Sequence, residues 1–360
     1  MRKTLSILIF LLVVAALSGL WQYKAFQAFA HTPLDLGDDG RVLQIPQGMH
    51  AKGVVDLLQN AGIIEHRWMM LYILKDSGLA ERIQPGTVVL KNGITPTEIP
   101  KLLARVGDFA RLSIQILPGM NLYEIAERMH ENRVADKTVF LQMATDPAFA
   151  ADFGVPASTL EGYLAPGAYT FEPGTTTHDI LLKLHSRWRD NWAAIVAENR
   201  GAYEAAVRRN FNDHALITLA SIVEKEAILD AERPIIARVF YNRIQKKMML
   251  QSDPTCVYPP KEIGEKPTPK RCKDPDNPYS TYVIKGLPPG PIDSPSAASM
   301  RAVLKPFNGP DANALLYFTA KQDGSKKHYF SKTYAEHQKA VDFFLKKSTN
   351  RPPKGTPQPQ

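Results

Sequence analysis

The 360-residue sequence predicts an α+β protein: an N-terminal transmembrane helix, small α/β subdomains after it, and a larger α+β domain. Three observations predict this fold: a long apolar run at the start, a strand–turn–helix pattern that recurs four times, and a change in the residue pattern near Tyr203. An apolar fraction of 44% and a charged fraction of 22% exclude a disordered, collagen-like or polytopic membrane protein. The net charge of +8 favours anionic lipid, acidic cell-wall polymer or nucleic acid as surroundings. Nucleic acid has the least support, because no zinc-finger or P-loop spacing is present.

The first 24 residues predict the cellular compartment in which the protein lies. Arg2 and Lys3 precede an uncharged run from Thr4 to Tyr23, which at about 1.5 Å per residue is long enough to cross a bilayer as a helix. The basic start should stay in the cytoplasm, so the bulk of the chain should lie outside it. A cleaved signal peptide is the alternative, with an A-x-A site at Ala28–Ala30. The length of the apolar core favours an uncleaved single-pass anchor.

The α/β region contains four copies of one pattern, in which β-like residues precede a glycine turn and a short amphipathic segment. The turns lie at Gly48, Gly93, Gly119 and Gly174. In every copy the residues six and ten positions later are apolar: Val54 and Leu58, Ile99 and Leu103, Ile125 and Met129, Ile180 and Leu184. Such an i, i+4 pair is the buried stripe of a short helix. Thr95, Asn121 and Thr176 are the expected N-caps. These units resemble LysM modules, which bind N-acetylglucosamine-containing glycans; units that only position another domain are the alternative.

The remainder of the chain predicts a separate α+β domain. Asp213 is the expected cap of a helix that runs to Asp230, and Pro234 begins the next helix. A proline-dense segment follows, and two strands joined by a turn at 322–325 precede a final helix. The predicted divisions are therefore 1–24 for the cytoplasmic start and anchor, 25–40 for a linker, 41–202 for the LysM-like and connecting α/β region, 203–347 for the α+β domain, and 348–360 for a disordered tail.

Two cysteines, Cys256 and Cys272, lie in the proline-dense segment. Outside the cytoplasm a disulfide between them would stabilise a loop by about 3 kcal/mol. Two unpaired thiols are the alternative. The nine histidines are scattered without ligand spacing, so we expect no metal and no other cofactor.

Two glutamates lie at opposite edges of the apolar face of the helix that contains ASIVEKEA. Partial desolvation there should raise the pKa of Glu224 and of Glu226 toward the range useful to a general acid. Small neighbours, Ala220, Ser221 and Ala227, leave room for a ligand beside Glu224. We therefore interpret Glu224 as the chemical residue and Glu226 as structural, with two solvated helix edges as the alternative.

A set of ordered motifs carries a family resemblance over nearly the whole chain: LEGYLAPGAY, LASIVEKEA with a following Glu232–Arg233, Asn242–Arg243, LQSDPT, YSTY and GLPPGPI. In these motifs the sequence resembles the YceG-like, MltG-type endolytic murein transglycosylases. The resemblance implies a catalytic α+β domain that cleaves the β-1,4 bond from N-acetylmuramic acid to N-acetylglucosamine in nascent peptidoglycan and leaves 1,6-anhydro ends. It assigns the general acid and base to Glu224 and needs no second carboxylate.

The other motif residues are assigned weaker roles. Substrate contacts are predicted for Gln251, Asp253, Thr255, Thr281, Tyr282 and Asn242, with a turn cap at Asp253 and a core aromatic at Tyr282 as alternatives. Glu161 either reaches the site or forms a structural ion pair. The sequence departs from the family at Ser280, where the usual residue is asparagine, and in the cysteine-containing loop before it.

The expected partners are peptidoglycan strands, the inner membrane through the N-terminal helix, and peptidoglycan synthases, without nucleic acid. The expected location is the inner membrane, single-pass, with a cytoplasmic N-terminus and a periplasmic bulk. Two alternative functions remain: a non-catalytic, membrane-tethered peptidoglycan-binding scaffold, and a hydrolytic muramidase that uses water.

Overall fold

The computed structural model describes residues 2–345 apart from 38–39, 47, 84, 105–111 and 173, without side chains before Phe10. The predicted tail 348–360 lies outside the described residues. Within them the chain forms helices and three two-stranded sheets, so the α+β class is confirmed. One compact unit comprises residues up to Leu112 together with Thr170–Thr175, and the other comprises Ser113–Tyr169 and the chain from Thr176. The boundary predicted at residue 202 lies inside the second unit.

The N-terminal helix α1 (Arg2–His31) includes the predicted anchor, and its apolar side chains from Phe10 to Trp21 are exposed. A search of the residues that the structure describes finds no helix with the length and apolar character needed to cross a membrane. Residues 4–9 of the predicted anchor belong to the part whose side chains are not described.

The first unit is built around one strand pair. Its elements are β1 (Arg41–Ile45), α2 (Ala51–Asn60), α3 (Arg67–Asp76), β2 (Gly86–Leu90) and α4 (Ile99–Leu103). The strands β1 and β2 run antiparallel, with Arg41 opposite Leu90 and Ile45 opposite Gly86. Apolar residues of both strands and of the helices form a buried core.

The second unit begins with elements that repeat this order. They are β3 (Leu112–Ile116), α5 (Leu122–Glu131), α6 (Lys137–Ala144), α7 (Pro147–Asp152), β4 (Gly167–Phe171), α8 (Thr177–Glu198) and α9 (Arg200–Val207). The first residue of β3 and the last two residues of β4 belong to the first unit. The strands β3 and β4 pair with each other.

The fourfold strand–turn–helix prediction is confirmed. Gly48, Gly93, Gly119 and Gly174 have φ angles of 80°, 81°, 80° and 82°, a left-handed conformation that favours glycine. The eight apolar residues six and ten positions after them are fully buried. Asn121 and Thr176 accept hydrogen bonds from the backbone N–H three residues later, as N-caps do. The cap predicted at Thr95 is wrong, because α4 begins only after Glu98, whose carboxylate accepts from Thr95 instead.

The α+β domain continues with helices and a final hairpin. The elements are α10 (Asp213–Glu226), α11 (Arg233–Gln245), α12 (Asp253–Cys256), α13 (Pro269–Cys272), α14 (Ala297–Leu304), β5 (Tyr317–Ala320), β6 (His328–Ser331) and α15 (Tyr334–Phe344). Asn212, not Asp213, caps α10, because the Asp213 carboxylate accepts from the Tyr203 hydroxyl. The helix ends at Glu226 and not at Asp230, since Ala227 has an extended backbone.

A disulfide joins Cys256 and Cys272 and organises the proline-dense segment. Asn277 donates a side-chain hydrogen bond to the Cys256 carbonyl at 2.8 Å, and the Ser280 hydroxyl donates to the Cys272 carbonyl at 2.6 Å. Ser280 is fully buried, so the residue that departs from the family pattern packs beside the disulfide.

Replacing Cys256 and Cys272 together with serine should lower the free energy of unfolding by about 3 kcal/mol, because the unfolded chain regains the freedom of the closed loop. Guanidinium denaturation monitored by circular dichroism measures the difference. Ser280→Ala, which removes one hydrogen bond from the same loop, should reduce stability by only about 1 kcal/mol. A double variant as stable as the parent would contradict the stabilising role of the disulfide.

Candidate active site

The side chain of Glu224 lies at the end of α10 and is only 7% exposed. Its Oε2 accepts hydrogen bonds from the Ser296 N–H at 2.9 Å, the Ser296 hydroxyl at 2.5 Å and the Ser299 hydroxyl at 2.7 Å. In the described part of the chain no donor is bound to Oε1. The carboxyl group is therefore held through one oxygen, and the other is left for a ligand.

These donors form the start of α14. Ser296 is the N-cap of that helix, and its hydroxyl oxygen also accepts from the Ser299 N–H. Unpaired N–H groups and the helix dipole make such a terminus favourable for a negative charge. Neither serine was predicted from the sequence, although the run Ser294–Pro295–Ser296 before a short apolar segment is typical of a helix start.

Arg233 adds a positive charge to the same oxygen. A guanidinium N–H group lies 3.1 Å from Glu224 Oε2 and donates to the Ser299 hydroxyl at 2.6 Å. A second contact, to Asp230 at 2.8 Å, holds the guanidinium from the other side. Arg233 lies in the Glu232–Arg233 motif, but no role was predicted for it from the sequence.

Glu226 contacts different elements from Glu224. The Ser252 hydroxyl donates to its carboxylate at 2.5 Å, which joins α10 to the segment before α12. Burial raises the pKa of Glu226 to about 7; the Asp253 charge adds to the rise, whereas the Ser252 hydrogen bond and the Arg243 charge oppose it. The raised pKa expected of a carboxyl at the edge of the apolar face is thus present at Glu226.

Three of the predicted substrate contacts lie on the segment facing Glu226. The Tyr282 hydroxyl donates to the Asp253 carboxylate at 2.6 Å, and both side chains reach the surface of this segment. The exposed Gln251 has a φ of 49° and donates its backbone N–H to the Thr281 carbonyl. Substrate binding by Gln251, Asp253 and Tyr282 stays a prediction.

The other three predicted contacts have buried side chains. The hydroxyls of Thr255 and Thr281 lie 2.9 Å apart, and both residues are fully buried. The Asn242 amide donates to the carbonyls of Ala312 and Leu315, at 2.8 and 2.7 Å. The structure gives these side chains partners within the fold, and their substrate contacts also stay predictions.

Two further carboxyl groups are buried near this region. Glu161 accepts a hydrogen bond from the Leu122 N–H at 3.0 Å, where α5 begins, so it stabilises a helix start without an ion pair among the described residues. Burial raises the pKa of Glu161 to about 7. Asp293 is fully buried, and neither of its oxygens has a hydrogen-bond partner in the described chain. Burial raises the pKa of Asp293 well above its ordinary value; the charge of Lys225 opposes this rise, and the charges of Glu224 and Glu161 add to it.

A cavity of about 250 Å³ is lined in part by Ser296, the residue whose hydroxyl donates to Glu224. The other lining residues include the apolar side chains of Pro118, Trp188 and Met300 and the amides of Gln115 and Asn191. Such a mixture of aromatic, apolar and amide groups suits a neutral polar ligand such as a sugar. Among the described residues, no group of three or more His, Cys, Asp or Glu side chains could hold a metal ion.

Small strand–helix units, followed by an α+β domain in which Glu224 is held at the start of α14, define the class of this protein. The chain belongs to the YceG-like family, whose sequence model matches residues 43–343. The family resemblance is confirmed. The chain is 29% identical to the endolytic murein transglycosylase of Bacillus subtilis, with 84% of each protein covered. It is 25% identical to a protein of the same name from Streptococcus pneumoniae, over 94% of this chain and 64% of that relative. A YceG-like protein from Listeria monocytogenes has a similar crystal structure, with a TM-score of 0.55, 29% identity, and 84% of this chain and 99% of that chain covered.

Asp293→Asn should raise the free energy of unfolding at neutral pH by on the order of 1–3 kcal/mol and leave it nearly unchanged near pH 4. The folded-state pKa is raised, so the stability of the parent protein is fully present below the ordinary pKa of 3.8 and falls as the pH rises above it. Urea denaturation between pH 4 and 8 measures this difference.

The exposed Asp276 provides the matched control. Asp276→Asn should leave the pH dependence of the free energy of unfolding as it is in the parent protein. If Asp293→Asn left the pH dependence of the parent unaltered, Asp293 would be ionised and paired in solution.

Proposed function

We propose that the chain is an endolytic murein transglycosylase that cleaves the bond from N-acetylmuramic acid to N-acetylglucosamine within peptidoglycan strands and leaves 1,6-anhydro ends. Membership of the YceG-like family supports this, as do the names of the bacillary and streptococcal relatives. The observation that carries the catalytic assignment is the Glu224 carboxyl, which has three hydrogen-bond donors at Oε2 and, among the described residues, none at Oε1.

The hydrogen bonds at Oε2 determine which oxygen of Glu224 carries the acidic proton. Because Oε2 already accepts from Ser296 and Ser299, the acidic proton belongs on Oε1. In the first step Oε1 gives this proton to the glycosidic oxygen as the bond from that oxygen to C1 of the muramyl sugar breaks. In the second step Oε1 takes the proton of the muramyl 6-hydroxyl as that oxygen bonds to C1. The carboxyl regains its proton, and no water is consumed.

The surroundings of Oε2 stabilise the charge that appears between these steps. Once its proton has left, Glu224 is a carboxylate, and Arg233 at 3.1 Å and the α14 N-terminus carry the compensating positive charge. The same contacts keep the side chain in one orientation, which favours proton transfer in both directions.

We propose that the cavity lined by Ser296 holds one sugar unit of the glycan strand. Its volume of about 250 Å³ is near the small end of ligand pockets, roughly 300–1,000 Å³, and suits a single ring. Trp188 and Met300 offer apolar faces, while Gln115 and Asn191 can hydrogen-bond hydroxyl or acetamido groups.

The sequence supports three further proposals, which concern glycan binding, membrane location and partners. We propose that the LysM-like units bind glycan, and their repeated strand–turn–helix order supports this. The uncharged run from Thr4 to Tyr23 supports a single-pass inner-membrane location with the bulk in the periplasm. At that location the enzyme would act on new strands during cell wall biogenesis, beside peptidoglycan synthases. Labelling of single cysteines on either side of the membrane tests the orientation.

Glu224→Gln should reduce glycan cleavage by at least about 100-fold, because the general acid and base is lost while an amide oxygen can still accept from Ser296 and Ser299. Mass spectrometry of digested glycan strands should show internal fragments that are lighter by one water than hydrolysis products. Fragments with ordinary reducing ends would indicate a muramidase, and binding without cleavage by the parent would indicate a scaffold.

The matched variant is Glu226→Gln on the same helix. It should keep cleavage within a few-fold of the parent protein, since the amide oxygen still accepts from Ser252. Because burial raises the pKa of Glu226 to about 7, this residue is the specific competitor for the acid role. Loss of cleavage in Glu226→Gln with activity retained in Glu224→Gln would transfer the assignment to Glu226.

Ala297→Phe should weaken cleavage at low substrate concentration, because the added ring fills part of the cavity that Ala297 lines. Ala297 is exposed in the first turn of α14, so the fold should tolerate the change. A rise in KM with little change in kcat is the expected result. Ser113→Ala, an exposed change outside the cavity lining, is the control; unchanged KM in Ala297→Phe would exclude the cavity from substrate binding.

A further inference from the structure

A second cavity lies along the C-terminal half of α11 and has a volume of about 840 Å³. The α11 residues that line it begin five residues after Arg233, at Arg238, and end twelve residues after it, at Gln245. At about 1.5 Å per residue, they lie about 8–18 Å from Arg233 along the helix axis. The cavity therefore differs from the one lined by Ser296 and shares no lining residue with it.

Three basic side chains line this cavity: Arg209, Arg238 and Lys246. No acidic side chain is among its described lining residues. None of the ion pairs in the described part of the chain involves these three cations. Arg238 is fixed in place, because its Nε–H donates to the Phe307 carbonyl at 2.5 Å.

Arg209 and Arg238 line the same cavity, and their like charges interact unfavourably. Burial, and then the charge of Arg209, lower the pKa of Arg238. The Tyr241 hydroxyl lies within the influence of both charges, which oppose the effect of burial on its pKa. Like charges that share a partly buried cavity without a counterion are unfavourable, and a bound anion would relieve this repulsion.

We propose that this cavity binds an oxyanion of the phosphate type, either a phosphate monoester or a diphosphate. Each guanidinium presents a planar fork of N–H groups that can bind two oxygens of one phosphate. Lys246 adds a third positive charge, and the amides of Gln245 and Asn313 supply neutral donors. Three cations match the charge of a diphosphate better than that of a single carboxylate.

Inorganic pyrophosphate is the probe for this site. Isothermal titration calorimetry on the full chain in a non-ionic detergent, at constant ionic strength, should show saturable binding that weakens as salt is added. Arg209→Gln should raise the Kd at least tenfold. Arg209 is exposed and forms no ion pair in the described chain, so this change should leave the fold intact.

Arg208→Gln is the matched control, because Arg208 is the exposed neighbour and does not line the cavity. Its Kd should stay within twofold of the parent value. Arg209→Gln should also melt at the same or a higher temperature without ligand, since one repulsive charge is removed. No saturable binding by the parent, or an equal loss of affinity in Arg208→Gln, would overturn the proposal.

Two further measurements identify the source of the phosphate and separate this proposal from the proposed function. Vesicles that contain phosphatidylglycerol, compared with vesicles of phosphatidylcholine alone, test a lipid headgroup. Binding to the anionic vesicles that falls in Arg209→Gln but not in Arg208→Gln indicates a lipid, whereas binding of pyrophosphate alone indicates a soluble or glycan-linked phosphate. Cleavage of phosphate-free glycan strands should be unaltered in Arg209→Gln, so a failed site leaves the enzyme assignment intact.

Discussion

The geometry of the candidate active site depends on one carboxylate oxygen, Glu224 Oε2. Two hydroxyls and a backbone N–H from the start of α14 replace the water that this oxygen loses on burial, and Arg233 at the start of α11 balances its charge. Three helices therefore meet at one atom. Their relative positions are constrained by a polar contact as well as by apolar packing, and the free Oε1 has a defined direction only because Oε2 is fixed.

A second constraint comes from the proline-dense segment, which has little regular structure of its own. Hydrogen bonds and the disulfide hold it: Ser252 binds Glu226, Thr255 binds Thr281, and Ser280 packs beside Cys256–Cys272. Proline limits the backbone freedom of the unfolded segment, so fewer contacts are needed to order it. The segment thus places polar residues beside α10 without a sheet or a long helix to support them.

Much of the fold follows from local patterns. The four glycine turns, the paired apolar residues after them, the restart of a helix at Pro234 and the final hairpin with its helix were all predicted correctly. The errors concern helix ends. The N-cap of α10 is Asn212 and not Asp213, whose carboxylate accepts from Tyr203. The N-cap position of α4 is Glu98 and not Thr95, whose hydroxyl donates to Glu98. Glu224 could be predicted from its place between small residues, but the raised pKa was found at Glu226, whose burial depends on a distant segment.

The sequence by itself determined the α+β class, the repeated units, the two candidate glutamates and the family, since periodicity, turn chemistry and ordered motifs are properties of neighbouring residues. Only the tertiary structure decided what surrounds each glutamate. Ser296 and Ser299 are 72 and 75 residues from Glu224 along the chain, and no local pattern links them. The same holds for Asp293, whose carboxyl oxygens have no hydrogen-bond partner among the described residues, and for the three cations around the second cavity. Burial and charge at a site are set by non-local packing, and hydrophobic periodicity does not report them.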